Sequence, residues 1–426
     1  MKTVFALSTV GLISVAAYSA IGVGKPKPTY AESIAPILNK NCVSCHRPGE
    51  VAPFNLVGYD NAKKNAAMIA AVTKQGVMPP WRAVEGHGEF LDAKRLTAEE
   101  LETIRSWADA GAPRGDAKME PKTPEFPSGW ALGKPDLILS PKTTVKLAPE
   151  GGDEYRNFVL ENTSTETRYV TAIDCKPGNR KVVHHLVVFV DGSGVAKQRE
   201  AADKDGQEGY VTFGGPGFNP AGILGVWVPG YNIRHTAPGT AFELKAGQTV
   251  VMQVHYHRSG KAEQDKSELG IYFAKSKPAK ITRFGIFVDP SLKIGPGDKN
   301  YRITRTFKIP AEMTLYGVMP HMHLLGRQMK VDAETPDGKK IPLVYIKDWD
   351  FNWQMQYDFK TPVVLPAGTK VTMEGVYDNS ASNPRNPSSP PKVVTFGEQT
   401  TDEMFVLLFT QTSAIDQPFF GVGSGK

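Results

Sequence analysis

Residues 181–191 read KVVHHLVVFVD and residues 249–256 read TVVMQVHY. Both are short, apolar and rich in valine, the composition of strands rather than helices. From about residue 136 such runs recur between turns of Gly, Pro, Asn and Asp, and no internal repeat is evident. The chain of 426 residues holds 41 Gly and 33 Pro, which keeps helices few and strands short. With 40% apolar and 22% charged residues it is a folding chain and not a disordered one. Its net charge of +6 is not gathered into a basic run, so no nucleic-acid partner is expected.

The same stretches carry histidine. Six of the nine His fall into three close pairs, His184-His185, His255-x-His257 and His321-x-His323. Random placement would give about 0.3 such pairs. Residues i and i+2 of a strand share a face, so His321 and His323 can converge on one metal, as can His255 and His257. Adjacent strand residues point apart. His184 and His185 can share a metal only at a strand end, at a bulge or through different ring nitrogens. Imidazole clusters suit Cu, Zn, Fe or Ni.

Towards the N-terminus the texture is helical. Cys42-Val43-Ser44-Cys45-His46 is the C-x-x-C-H pattern that attaches a c-type haem, with two thioether links and His46 as proximal ligand. A zinc site would need a second Cys pair, and only Cys175 remains. A thioredoxin-like pair would need a βαβ setting, which is lacking here. One helix is expected over 32–38, a second from a cap at Asp60 through Thr73 with Gly76 as its stop, and a third after the Thr97–Glu100 capping box, ending at Gly111. Met78, between the second and third helices, is the expected sixth iron ligand, since a thioether raises the haem potential. Met68 is the competitor expected to pack in the core, and His87 is another in a glycine-flanked loop. Residues 30–115 resemble the cytochrome c-like modules of secreted bacterial oxidoreductases. Five prolines in 112–135 predict an extended linker. Residues 1–23, with one Lys before an apolar stretch, read as a signal peptide for export to the periplasm, or as an anchor if retained.

Beyond residue 136 the chain resembles the copper type II, ascorbate-dependent monooxygenases, the peptidylglycine and dopamine hydroxylases. The resemblance lies in VVHHL (182–186), QVHY (253–256), HMHLLGR (321–327) and TDEM (401–404). It implies two jelly-roll β-sandwiches, each with one copper. By position, His184, His185 and His255 would hold the electron-transfer copper, and His321, His323 and Met404 the copper that meets O2. A thioether suits Cu(I). His257, His235 and His87 match no metal ligand. Met319 stands where amidating members carry an Arg for the substrate carboxylate, and Phe405, Val406 and Leu407 replace polar residues. With Cys175 alone after haem attachment, no intramolecular disulfide is expected.

The expected architecture is therefore multidomain. A signal (1–23), a small all-α haem module (28–115) and a linker (116–135) precede two all-β jelly-roll sandwiches (136–285 and 286–426). The implied cofactors are two Cu ions and one covalent haem c. The implied reaction inserts one atom of O2 into a C–H bond of a neutral or apolar small molecule. Electrons would come from ascorbate or a redox protein and pass through the haem. The alternative is a haem and copper electron carrier without hydroxylase activity.

Overall fold

The computed structural model describes residues 27–50, 52–126, 129–415 and 419–422, so the segment read as an export signal lies outside it. The fold is rich in β-sheet with few helices. None of the helices among the described residues is long and apolar enough to cross a membrane.

The strands form two successive sandwiches. In the first, a five-stranded sheet runs Tyr210–Thr212, Glu154–Leu160, Thr249–Tyr256, Val183–Asp191, Gly222–Trp227. It faces a second sheet built on Arg168–Lys176 and Glu268–Phe273. Leu186, Val188 and Val190 alternate inward and meet Val250, Met252 and Val254, with Val170, Leu269 and Ile271 from the facing sheet. Period-two patterning thus builds the core on one face and leaves His185, Val187 and Phe189 on the other. Cys175 lies in this core as a free, buried thiol. Strand 249–256 is buried along its whole length, because its second face is also covered.

In the second sandwich, a five-stranded sheet runs Tyr357–Leu365, Met313–His321, Val406–Ser413, Arg283–Val288, Phe419–Val422. A four-stranded sheet of Tyr301–Lys308, Lys370–Tyr377, Gly326–Glu334 and Lys340–Ile346 closes the core. Strand 283–288 pairs along its length with 406–413. The expected boundary at 285/286 therefore cuts a strand, and the change of sandwich falls just before Arg283.

The helices Ala35–Asn41, Tyr59–Lys64, Ala66–Lys74 and Ala98–Asp109 enclose their own small core of Ile34, Leu38, Ile104 and Trp107. The Thr97–Glu100 capping box is present in both directions. Asp60 is not a cap: Gly58 holds that position, at a φ of 83° that favours glycine, and Asp60 lies in the first turn. The expected helix through Thr73 breaks at Asn65, whose side chain bonds back to Asn61 O instead of leaving the ladder regular. Met68, expected in the core, is half exposed.

The helical unit is not a bead on a string. Val84 N donates to Tyr345 O, Leu91 N to Asp358 O, and Lys360 N to Glu89 O, each at 2.8 Å. Segment 83–91 thereby adds to the edge of the second sandwich, and Phe90 stacks on Phe359 at 5.3 Å. The expected linker is pinned at its far end, where Ala131 N donates to Asp174 and Lys176 covers the Trp130 ring.

Candidate dimetal centre

His185 and His255 face each other across neighbouring strands. The ladder places Val183 opposite Tyr256 and His185 opposite His255, which leaves His184 as the extra residue of a bulge. That bulge turns His184 to the same side as His185, resolving the difficulty of adjacent residues. His184 Nδ1 lies 3.1 Å from His185 Nδ1, and His255 Nδ1 lies 3.3 Å from it. Three nitrogens of the same kind thus converge on one point, a ready set of donors for one metal ion. Burial lowers the His184 pKa to about 4. His185 is held well below the usual imidazole value by burial, then by His255, His184 and His321. Neutral rings with lone pairs inward are what a metal requires.

Asp153 fixes the third ring from behind. Its carboxylate lies 3.0 Å from His255 Nε2 and 3.1 Å from His257 Nδ1. A carboxylate on the distal nitrogen sets the tautomer that turns Nδ1 to a metal. His257, two residues on, points to Asp153 and solvent, so the shared-face expectation does not bring it to the cluster. Tyr155 stacks on His255 at 4.1 Å.

The second set is built differently. His321 ends strand 313–321, and His323 lies beyond it. The two rings stand 5.1 Å apart and nearly perpendicular. Burial lowers His321 to about 3, with His323 adding to the effect and a hydrogen bond that the ring donates to Gln354 opposing it. His323 Nδ1 lies 3.2 Å from Asp402 O. Glu403, fully buried, accepts from His323 N at 2.9 Å, Leu325 N at 2.6 Å and Met404 N at 3.1 Å. Burial pushes its carboxyl up to about 8 against those backbone donors. One side chain thus anchors the histidine loop to the residue before Met404. Met404 also accepts from Tyr377 Oη through its carbonyl.

A single cavity of about 590 Å³ is lined by His184 and His185 on one side and by His321, His323 and Met404 on the other. Phe351 lies between them, with its ring 6.4 Å from His184 and 6.0 Å from His323. Val187, Ile223, Val228, Met319, Val406 and Leu408 supply much of the wall. No Lys or Arg is among the described residues that line it, and Glu398 is the acidic one. Of the three residues after Met404, only Val406 reaches the cavity. Phe405 and Leu407 alternate into the second core.

At the C-x-x-C-H motif no disulfide joins Cys42 and Cys45. His46 Nδ1 lies 3.1 Å from Phe54 O, which leaves Nε2 as the free donor. Met78 is half-buried in the loop leaving helix 66–74. Just beyond it, the buried donors Trp81 Nε1 and Arg82 Nε meet no acceptor among the described residues. Two thiols and an imidazole with one ring nitrogen turned from the backbone are the donors that a c-type haem takes, so the set Cys42, Cys45 and His46 fits that group. His87 is turned edge-on to Tyr345 of the second sandwich.

Sequence reading did not single out Asp153, Gln354, Phe351 or Glu403. Glu403 had the clearest signal, an acid just before an apolar strand. No family model matches the chain. Among solved structures it is similar to PNGF-II, with a TM-score of 0.27 and 9% identity over 68% of this chain and 65% of that one. The chain thus spans a little under two thirds of that structure's length. It is also similar to the major capsid protein P2 from bacteriophage PM2, with a TM-score of 0.25 and 8% identity over 66% and 99%. A third likeness is the infectious bursal disease virus VP2 subviral particle, with a TM-score of 0.18 and 8% identity over 69% and 75%. Scores this low carry no argument about this chain.

Proposed function

We propose that the protein is an exported copper monooxygenase with a fused cytochrome c-like haem module and two jelly-roll copper domains. It would hydroxylate a C–H bond of a neutral or apolar small molecule with O2. One observation supports the reading: the pairs His184-His185 and His321-x-His323 open onto the same cavity, with Met404 in its wall. His184, His185 and His255 would hold a copper that relays electrons, and His321, His323 and Met404 the copper that meets O2. Cys42, Cys45, His46 and Met78 would hold the haem. Bound copper and haem would supply the one-electron chemistry, with ascorbate or a redox protein as donor.

The remaining steps belong to the chain. Gln354 and Asp402 orient the histidines of the second site. The apolar walls exclude water and receive the substrate. A carboxylate carried into that cavity would meet no cation, which is strongly disfavoured. Arg327 is engaged with Asp378 and Asn383, and Arg234 with Asp92 and Asp358, so neither is available as that cation. Glycine-extended peptides are therefore expected to be poor substrates. A carrier without hydroxylase activity would have no use for a substrate-sized cavity between its sites.

The test is copper-loaded protein, a reductant and labelled O2, offered to a panel of neutral apolar molecules. One labelled oxygen atom in a product, lost in Met404→Ala, is expected. Reductant-driven haem and copper cycling with no oxygenated product would favour the carrier.

A further inference from the structure

The haem motif and the three-histidine site meet at one turn of chain. Strand 222–227 ends at Trp227, which pairs with Leu186 in antiparallel register. The chain leaving it at Val228 therefore runs back alongside His185 and His184. Val228 and Pro229 line the shared cavity. The turn closes where Tyr231 N donates to Val228 O at 3.1 Å. Gly230, inside that turn, has a φ of 82°, and a Cβ placed on it would lie 3.7 Å from Cys45 Sγ. The sulfur that would carry one haem thioether thus lies beside the turn whose residues Val228 and Pro229 wall the cavity. Met355 belongs to the same partition, since it faces both that cavity and the small pocket beside Gly230 and Trp81.

The contact is clamped. Arg180, in the turn before strand 183–191, pairs with Glu50 at 2.9 Å, and Arg47 pairs with Glu50 at 2.8 Å. Lys94 Nζ reaches Ser44 Oγ, and Asp92 holds both Asn232 and Arg234 just after the turn. The edge pairing of segment 83–91 secures the other side.

Building on the proposed function, we propose that the turn 228–230 is the electron bridge from the Cys45 thioether to the three-histidine site, so that electrons enter there and not at the methionine site. Electron tunnelling weakens steeply with distance, and bonded atoms with van der Waals contacts carry it better than open space. The bridge carries one electron and no proton. Iron(II) is oxidised to iron(III), copper(II) is reduced to copper(I), and the external donor of the proposed function re-reduces the iron.

The experiment uses the full chain with haem and copper, reduced at the haem under anaerobic conditions. Haem oxidation is followed optically, and the copper reduced is followed by electron paramagnetic resonance. Oxidation is expected to persist in His323→Ala and to be lost in His185→Ala. Arg180→Glu is expected to slow it several-fold with the haem spectrum unchanged, because a loosened contact lengthens the gap that the electron must cross. The charge swap Arg180→Glu with Glu50→Arg is expected to recover most of the rate. Loss in His323→Ala with survival in His185→Ala would overturn the bridge, as would a rate indifferent to Arg180→Glu. Ascorbate-driven oxygenation is scored separately. Its absence from the wild type would defeat the monooxygenase reading, whereas its presence beside a haem that stays reduced would defeat only the bridge.

Discussion

At the first proposed metal site a bulge brings two adjacent histidines to one side, and a carboxylate in a loop holds the third. At the second site no bulge is needed, and a buried glutamate fastens the loop after the strand to the residue before Met404. The first site is a property of paired strands, so its ligands are as rigid as the sheet. The second depends on backbone donors gathered around Glu403, so its geometry is tied to one side chain. The two halves of the cavity should therefore fail in different ways.

The largest effect is expected at Glu403. Glu403→Ala strands the N–H groups of His323, Leu325 and Met404 in a dry core. At about 1–3 kcal/mol for each unsatisfied group, the loss should reach about 3 kcal/mol or more. Denaturant unfolding should show it, together with loss of metal binding at His321 and His323. Glu403→Gln keeps one acceptor oxygen and should recover part. Stability within error of wild type would break the contrast.

Asp153→Asn should act on the other half alone. Loss of a carboxylate behind a metal-binding histidine typically weakens affinity roughly 10–100-fold. Copper titration should show that loss at the three-histidine site, with the His321, His323 and Met404 site unmoved. Equal weakening of both sites would mean that they are one unit.

The smallest effect is the pH dependence of the copper-free protein. His184 and His321 are lowered to about 4 and about 3 when folded, against about 6.5 unfolded. Between those limits the unfolded chain binds more protons, so stability falls as pH drops below about 6.5 and levels off once the folded rings titrate. Melting temperature against pH should show that slope, and His321→Ala should flatten part of it. A melting temperature flat from pH 7 to 4 would contradict the burial of these rings.

Much of the β-rich fold was readable from residues 181–191 and 249–256, because period two ties composition directly to face. His321 and His185 were legible for the same reason. Four features were not. The bulge at His184 depends on register with strand 249–256, which no local pattern encodes. Asp153 sits in a Gly-Gly-Asp loop with no periodicity to place it. The burial of Phe405 and Leu407 beside a cavity-facing Val406 is hidden in a run that is apolar on both faces, although a strand sends alternate residues to opposite sides. Edge pairing of segment 83–91 is a long-range contact, and its sequence reads only as a glycine-rich loop.

The central claim is that two metal sites of unlike ligation share one cavity, and X-ray absorption at the copper edge tests it most directly. Fully loaded, reduced protein should hold about two coppers per chain, with histidine nitrogen on both and one sulfur shared between the pair as an average. Met404→Ala should remove the sulfur and leave the three-histidine copper intact. A single copper per chain, or a sulfur signal that persists in Met404→Ala, would contradict the account.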